Sequence, residues 1–153
     1  MRIASVLGDP AIQLGALRIW VHGYEYPEST DEWGGNWLRV TARCAASGAS
    51  VEVSGSILET VGFLRFQQEL AVVYQQLQGV ATLESHDPEL KVEVLPRGQP
   101  GQLEVRVRIT PDHLNQEHRF VFRLDQSYLP EVMQGCARLL AQYPVRGLRV
   151  SGA

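Results

Sequence analysis

The spacing of apolar residues changes along this chain, and the changes decide which folds are open to it. Over "IQLGALRIWVHGYEY", Ile12 to Tyr26, apolar side chains recur at every second position, and they do so again in "NWLRVTARC". After Thr60 the spacing becomes three and four, through Phe63, Phe66, Leu70, Val73, Tyr74 and Leu77. A strand turns alternate side chains to one face and a helix every third or fourth, so the first stretches predict strands and the later one an amphipathic helix. The two-residue period returns in "LKVEVL" (90–95), "QLEVRVRIT" (102–110) and "HRFVFRL" (118–124). A second helix is predicted to open near Ser127 as N-cap, with Pro130 in its first turn. It carries Leu129, Val132, Met133, Cys136, Leu139, Leu140 and Tyr143 on one stripe. Strands that come in runs, not in alternation with helices, predict an α+β fold: a mostly antiparallel β-sheet with two amphipathic helices packed on its apolar face.

Finer expectations follow from the same alternation. Leu17, Ile19 and Val21 share an inner face, and Arg18, Trp20 and His22 an outer one, with Gly15 shifting the phase as a bulge would. Leu38, Val40, Ala42 and Cys44 point inward, and Arg39, Thr41 and Arg43 outward. "ASGAS" turns the chain into "VEVSG", and "SGS" at 54–56 reads as that strand's end. Gly79 stops the first helix and Pro144 the second. In the last hairpin, pairing Val107 with Phe122 and Ile109 with Phe120 sets Arg106 opposite Arg123 and Glu104 opposite Asp125. Like charges directly opposite destabilise a sheet, so this face is either an anion or acidic-partner site or a solvated mixture of charges. No internal repeat or low-complexity segment is visible, and the tail "VRGLRVSGA" reads as a short strand or a frayed end.

At 153 residues the chain fits one domain, 1–153, large enough to bury a core without a metal or disulfide staple. A net charge of -3 names no partner and gives no support to nucleic-acid binding by bulk charge. Cys44 and Cys136 lie far apart in apolar patterns, which predicts buried reduced thiols and a cytoplasmic location. "MRIASVLGDP" lacks the apolar region of a signal peptide, and nowhere do about 18 consecutive apolar residues suggest a membrane span.

No set of catalytic residues emerges. His113 and His118 flank Glu117 beside Asp112, yet their spacing fits no metal-ligand motif. His22 and His86 lack a local nucleophile, and Cys136 lies on a buried helical stripe. "GDPAIQLG" and "GQPGQ" have neither the glycine spacing nor the lysine of a nucleotide loop. No cofactor, metal or catalytic site is therefore expected, and the chain reads as a binding protein, not an enzyme. A small-ligand or general interaction module and an enzyme with dispersed residues are the competing classes.

The most acidic stretch is "GYEYPESTDEWGGNWLRV", residues 23–40, where Glu25, Glu28, Asp31 and Glu32 precede any basic residue and Tyr24, Tyr26 and Trp33 interleave with them. Such rings anchor protein interfaces, but they also close the open end of a core. The candidate partner-binding residues are Glu25, Glu28, Asp31, Glu32 and Trp33. Trp37, at the start of a strand, reads instead as a structural ring.

"LRIWVHGYEYP" followed by "DEWGGNWLRV" resembles the amino-terminal pattern of the WapI-like immunity proteins, small bacterial antitoxins encoded beside wall-associated polymorphic toxins. Gly34 and Gly35 stand where the family pattern has Asp-Ala. The resemblance continues through "FLRFQQELAVVYQQL", "LESHDPEL", the late strands and the last helix. It implies a stoichiometric binder whose partner is a cognate toxin domain, nucleases being among such toxins. No direct contact with nucleic acid or membrane is implied.

Overall fold

The computed structural model describes residues 7–147. The first run of alternation folds as four strands: β1 (Ile12–Leu14), β2 (Leu17–Tyr24), β3 (Trp37–Ala46) and β4 (Ala49–Glu59), joined as an antiparallel meander. Helix α1 (Thr60–Gln76) follows directly. The second run gives β5 (Ala81–Glu84), β6 (Leu90–Pro96), β7 (Gln102–Ile109) and β8 (Arg119–Asp125), again an antiparallel meander, then helix α2 (Leu129–Gln142). The architecture is α+β as expected, but the strands divide into two four-stranded sheets. The order of four strands and a helix occurs twice, a repeat of topology that the sequence does not carry as repeated residues.

The inner faces are those the alternation marks. Leu38, Val40, Ala42 and Cys44 on β3 and Leu103, Val105, Val107 and Ile109 on β7 are all buried. They join the Phe63, Phe66, Leu70 and Val73 stripe of α1 and Leu129, Val132, Cys136 and Leu139 of α2 in one apolar cluster. The helices pack on each other, with α1 along β5 and α2 against β1, while β3 and β4 approach β7.

Several local expectations are corrected. Gly15 is a turn residue, not a bulge: Leu14 pairs with Leu17, and Gly15 has φ +58° in the two-residue link. A side chain there would also strike the Phe122 ring, so this hairpin tip needs glycine twice over. The bulge lies between Val21 and Gly23 instead. "SGS" sits within β4, whose strand continues to Glu59. Trp20 and Thr41, expected outside, are buried; the Trp20 Nε1 donates to the Gly8 carbonyl at 2.9 Å. The left-handed residue closing α1 is Leu77 (φ 52°), ahead of Gly79. Before α2 the cap is Asp125, whose carboxylate accepts from Ser127 N in a short 3-10 turn, Gln126–Tyr128. Strand β5 has no counterpart in the expectations, because "ATLE" is too short for a period to show. Of the tail, residues 148–153 lie outside the described residues.

The register of the last hairpin differs from the expected one by two residues. Val107 faces Phe120 and Val105 faces Phe122, so Glu104, not Arg106, stands opposite Arg123. Glu104 accepts from Arg106 Nε at 2.6 Å, and Arg97 and Arg123 approach it at 3.7 and 3.9 Å. These guanidiniums, Arg106 foremost through its hydrogen bond, hold the Glu104 carboxyl below its ordinary range. The folded chain then takes up this proton at lower pH than the unfolded chain. The stabilisation is whole above the unfolded value of about 4.3 and is lost as pH falls through the folded value. Glu104→Gln is therefore expected to lower Tm at neutral pH, and the deficit relative to wild type should shrink on acidification. A deficit that stays constant down to acid pH would contradict this.

Cys44 and Cys136 are free and buried, as expected. Burial pushes their thiols up to about 11 and about 12. A neutral, shielded thiol is a poor nucleophile. The native protein is expected to leave a thiol reagent unreacted, and both cysteines should titrate once denaturant is added. Rapid reaction of the native protein would count against this packing.

Candidate functional site

The loop between β2 and β3 is held in place from the far end of the chain. Beyond α2, Tyr24 donates from its hydroxyl to the Pro144 carbonyl at 2.5 Å and packs edge-on against Tyr143 at 5.4 Å. The Arg146 guanidinium lies 3.5 Å over the centre of the Tyr24 ring. From there it donates to the carbonyls of Ser29 at 2.6 Å and Tyr26 at 3.1 Å. Both bonds come from Nη1, whose two hydrogens serve the two carbonyls while the flat guanidinium stacks on the ring.

Asn36 ties the loop's other end. Its side-chain oxygen accepts from Thr60 Oγ1 and from Arg146 N, both at 2.7 Å, and its Nδ2 donates to the Arg146 carbonyl at 2.9 Å. Thr60 N also donates to the Asn36 carbonyl at 2.9 Å. Asn36 and Thr60 are both buried, so the start of β3, the start of α1 and the segment after α2 meet at one amide.

The five candidate residues divide by role. Asp31 folds the loop: its carboxylate accepts from Gly34 N at 2.8 Å and Trp33 N at 2.9 Å, and these amides hold its carboxyl below the ordinary range. Gly35 donates to the Asp31 carbonyl at 3.0 Å, a turn so tight that a side chain at 35 would strike that carbonyl. Glu25, half-buried, accepts from the Ser56 hydroxyl on β4. Glu28 and Glu32 are exposed, and Trp33 presents 83% of its surface to solvent, with Tyr26 at 55%. An indole so exposed on a backbone so constrained does no work in the core. The loop is thus pinned at its base and open at its tip: Tyr24 and Asn36 close onto the rest of the fold, while Trp33, Glu28 and Glu32 face solvent. Trp37 is half-buried, with its ring centroid 4.8 Å from that of His86, which pairs with Glu59 at 2.8 Å.

The other candidates stay dispersed. His22 Nε2 bonds to Thr41 Oγ1 at 2.8 Å, and Thr41 to Ser54 Oγ at 2.9 Å, a ladder of polar groups across three strands with no carboxylate on the imidazole. Asp112, beside His113, is engaged with Leu114 N and Asn115 Nδ2. Among the described residues no three His, Cys, Asp or Glu side chains converge as metal ligands. Surface depressions of about 420 and 390 Å³ are lined largely by polar side chains, Gln102, Arg123 and Asp125 in the first and Asp9, Gln13, Glu131 and Arg138 in the second. Among the described residues no helix is long and apolar enough to cross a membrane.

The strap of residues 143–146 is the part of this site that sequence reasoning missed. Arg146 sits 120 residues from Tyr26, and no local pattern marks an arginine that will reach back over such a separation.

The profile of the WapI-like immunity protein family matches residues 10–144, which spans the loop, its strap as far as Pro144, both sheets and both helices. The chain belongs to this family. No curated protein matches the sequence. Among solved structures, a chain of the CdiA-CT/CdiI toxin and immunity complex from Enterobacter cloacae is 9% identical, with 78% of this chain and 97% of that chain covered and a TM-score of 0.43. WHY1 from Arabidopsis thaliana is 9% identical over 88% of each chain, with a TM-score of 0.47. The plant transcriptional regulator PBF-2 is also 9% identical, covering 86% of this chain and 79% of that one, with a TM-score of 0.47. At these identities and scores the likenesses bear on neither partner nor site.

Proposed function

We propose that this chain is a non-catalytic immunity protein that acts in the cytoplasm by binding a cognate toxin domain and blocking it. Membership of the WapI-like family supports the immunity role. One observation carries the choice of contact surface: Trp33, 83% exposed, shares the β2–β3 loop with exposed Glu28 and Glu32, on a backbone tied by Asp31, Asn36 and Arg146. A preorganised aromatic anchor loses little entropy on binding, and surrounding carboxylates speed encounter with a cationic surface. A nuclease cleft, basic because it holds phosphates, is the kind of target this loop fits.

The first test is co-purification with the toxin domain encoded beside this gene. The second is the charge reversal Glu28→Lys with Glu32→Lys. Neither side chain holds the loop together, so melting should be unchanged, while the association rate should fall by about ten-fold at low salt. Asp31 is left alone because reversing it would undo the turn. Unchanged association by the well-folded variant would remove the loop from the interface.

A further inference from the structure

The outer face of the second sheet carries an array of cations that the fold itself does not neutralise. The pairing register sets Lys91 opposite Arg108 and Arg108 opposite Arg119, three positive side chains in one row across β6, β7 and β8. Among the described residues, the ion pairs on this face all go to Glu104, from Arg97, Arg106 and Arg123, and none involves this row. The acidic groups nearest the row are Glu84, opposite Lys91 on β5, Glu93, opposite Arg106 one row along, and Glu89 and Glu117, two residues before Lys91 and Arg119. None of them lies within ion-pair distance of the row. Arg108 and Arg119 are both exposed, and Val121 between the rows is 53% exposed. Like charges directly opposite one another weaken a sheet, so the free protein bears a cost here that a bound anion would relieve.

We propose that this face docks an acidic protein segment, at a site separate from the Trp33 loop. An extended acidic strand or helix edge would offer carboxylates to Lys91, Arg108 and Arg119, with forked pairing at the two arginines, and a small apolar side chain to Val121. A nucleic acid fits less well. The aromatic residues of β8, Phe120 and Phe122, are packed against the core, so the face offers no ring on which a base could stack.

The test compares a labelled oligo-glutamate peptide with a labelled oligothymidylate, by fluorescence anisotropy at low salt. The proteins are wild type, the Arg108→Glu, Arg119→Glu double variant, and a control of equal charge change on the helices, Arg65→Glu with Arg138→Glu. Peptide binding should weaken about ten-fold or more in the sheet variant and little in the control. Variants with Gln in place of Glu, which keep the face polar without reversing it, guard against a misfolded double variant and should weaken binding in the same direction. Independently, Arg108→Glu alone should raise Tm, because the new carboxylate would stand between Lys91 and Arg119. Absent or unselective peptide binding, or a lowered Tm in the Arg108→Glu variant, would overturn the proposal. Tighter binding of the oligothymidylate would place a nucleic acid on this face instead. Self-association of the wild type that the double variant abolishes would place a second copy there. Because the Glu28→Lys, Glu32→Lys variant should bind the peptide like wild type, failure here is distinguishable from failure of the loop interface.

Discussion

Trp33→Ala is expected to weaken association with the cognate toxin domain by about 2–4 kcal/mol, a loss of roughly thirty-fold or more, without a measurable change in Tm. The indole is 83% exposed in the free protein, so its removal leaves no cavity and strips no buried partner. The backbone at Trp33 is held by Asp31 and not by its own ring, so the loop should keep its shape. The loss should fall mainly in the dissociation rate, because the ring is uncharged and long-range steering comes from Glu28 and Glu32. Surface binding with both variants and thermal melting in parallel would separate the two contributions. A Trp33→Ala protein that binds as well as wild type would show that the exposed ring belongs to something other than this interface.

The second large effect is expected at Asn36, where function and stability meet. Asn36→Ala removes the acceptor of the buried Thr60 hydroxyl and both side-chain bonds to the Arg146 backbone. Leaving such groups unpaired should cost about 2–4 kcal/mol of folding stability. With the strap released, Arg146 would no longer be positioned over Tyr24 or against the Tyr26 and Ser29 carbonyls, and the loop should become mobile. Toxin binding should then weaken even though Asn36 itself touches no solvent. Denaturant unfolding and amide exchange at residues 25–35 would measure both. Wild-type stability with unchanged exchange would mean the amide network is not what holds the loop.

The two expectations divide one short segment into a presenting tip and a structural base. That division was not legible in composition. Four carboxylates in a row look alike on the page, yet Asp31 spends its oxygens on two backbone amides and Glu25 meets the Ser56 hydroxyl, while Glu28 and Glu32 remain exposed. Which acid is free depends on where the backbone turns, and the turn depends on Gly35 closing onto the Asp31 carbonyl.

Features that depend on a repeating local period are legible in the chain before it folds. The inner faces of β3, β6 and β7, the stripes of α1 and α2, and the burial of both cysteines follow from alternation at two or at three to four residues, because burying apolar surface is the dominant gain. Other features arise only when distant segments meet. Splitting eight strands into two sheets, seating Gly15 against Phe122, and carrying Arg146 back over Tyr24 are contacts between residues distant in sequence, where no period records the partner. The last hairpin shows the limit most plainly. Sliding its register by two keeps every inward residue inward, so hydrophobic burial cannot tell the alternatives apart. The observed choice sets Glu104 opposite Arg123, an attractive pair where the expected register had placed two arginines, and leaves the uncompensated row at Lys91, Arg108 and Arg119.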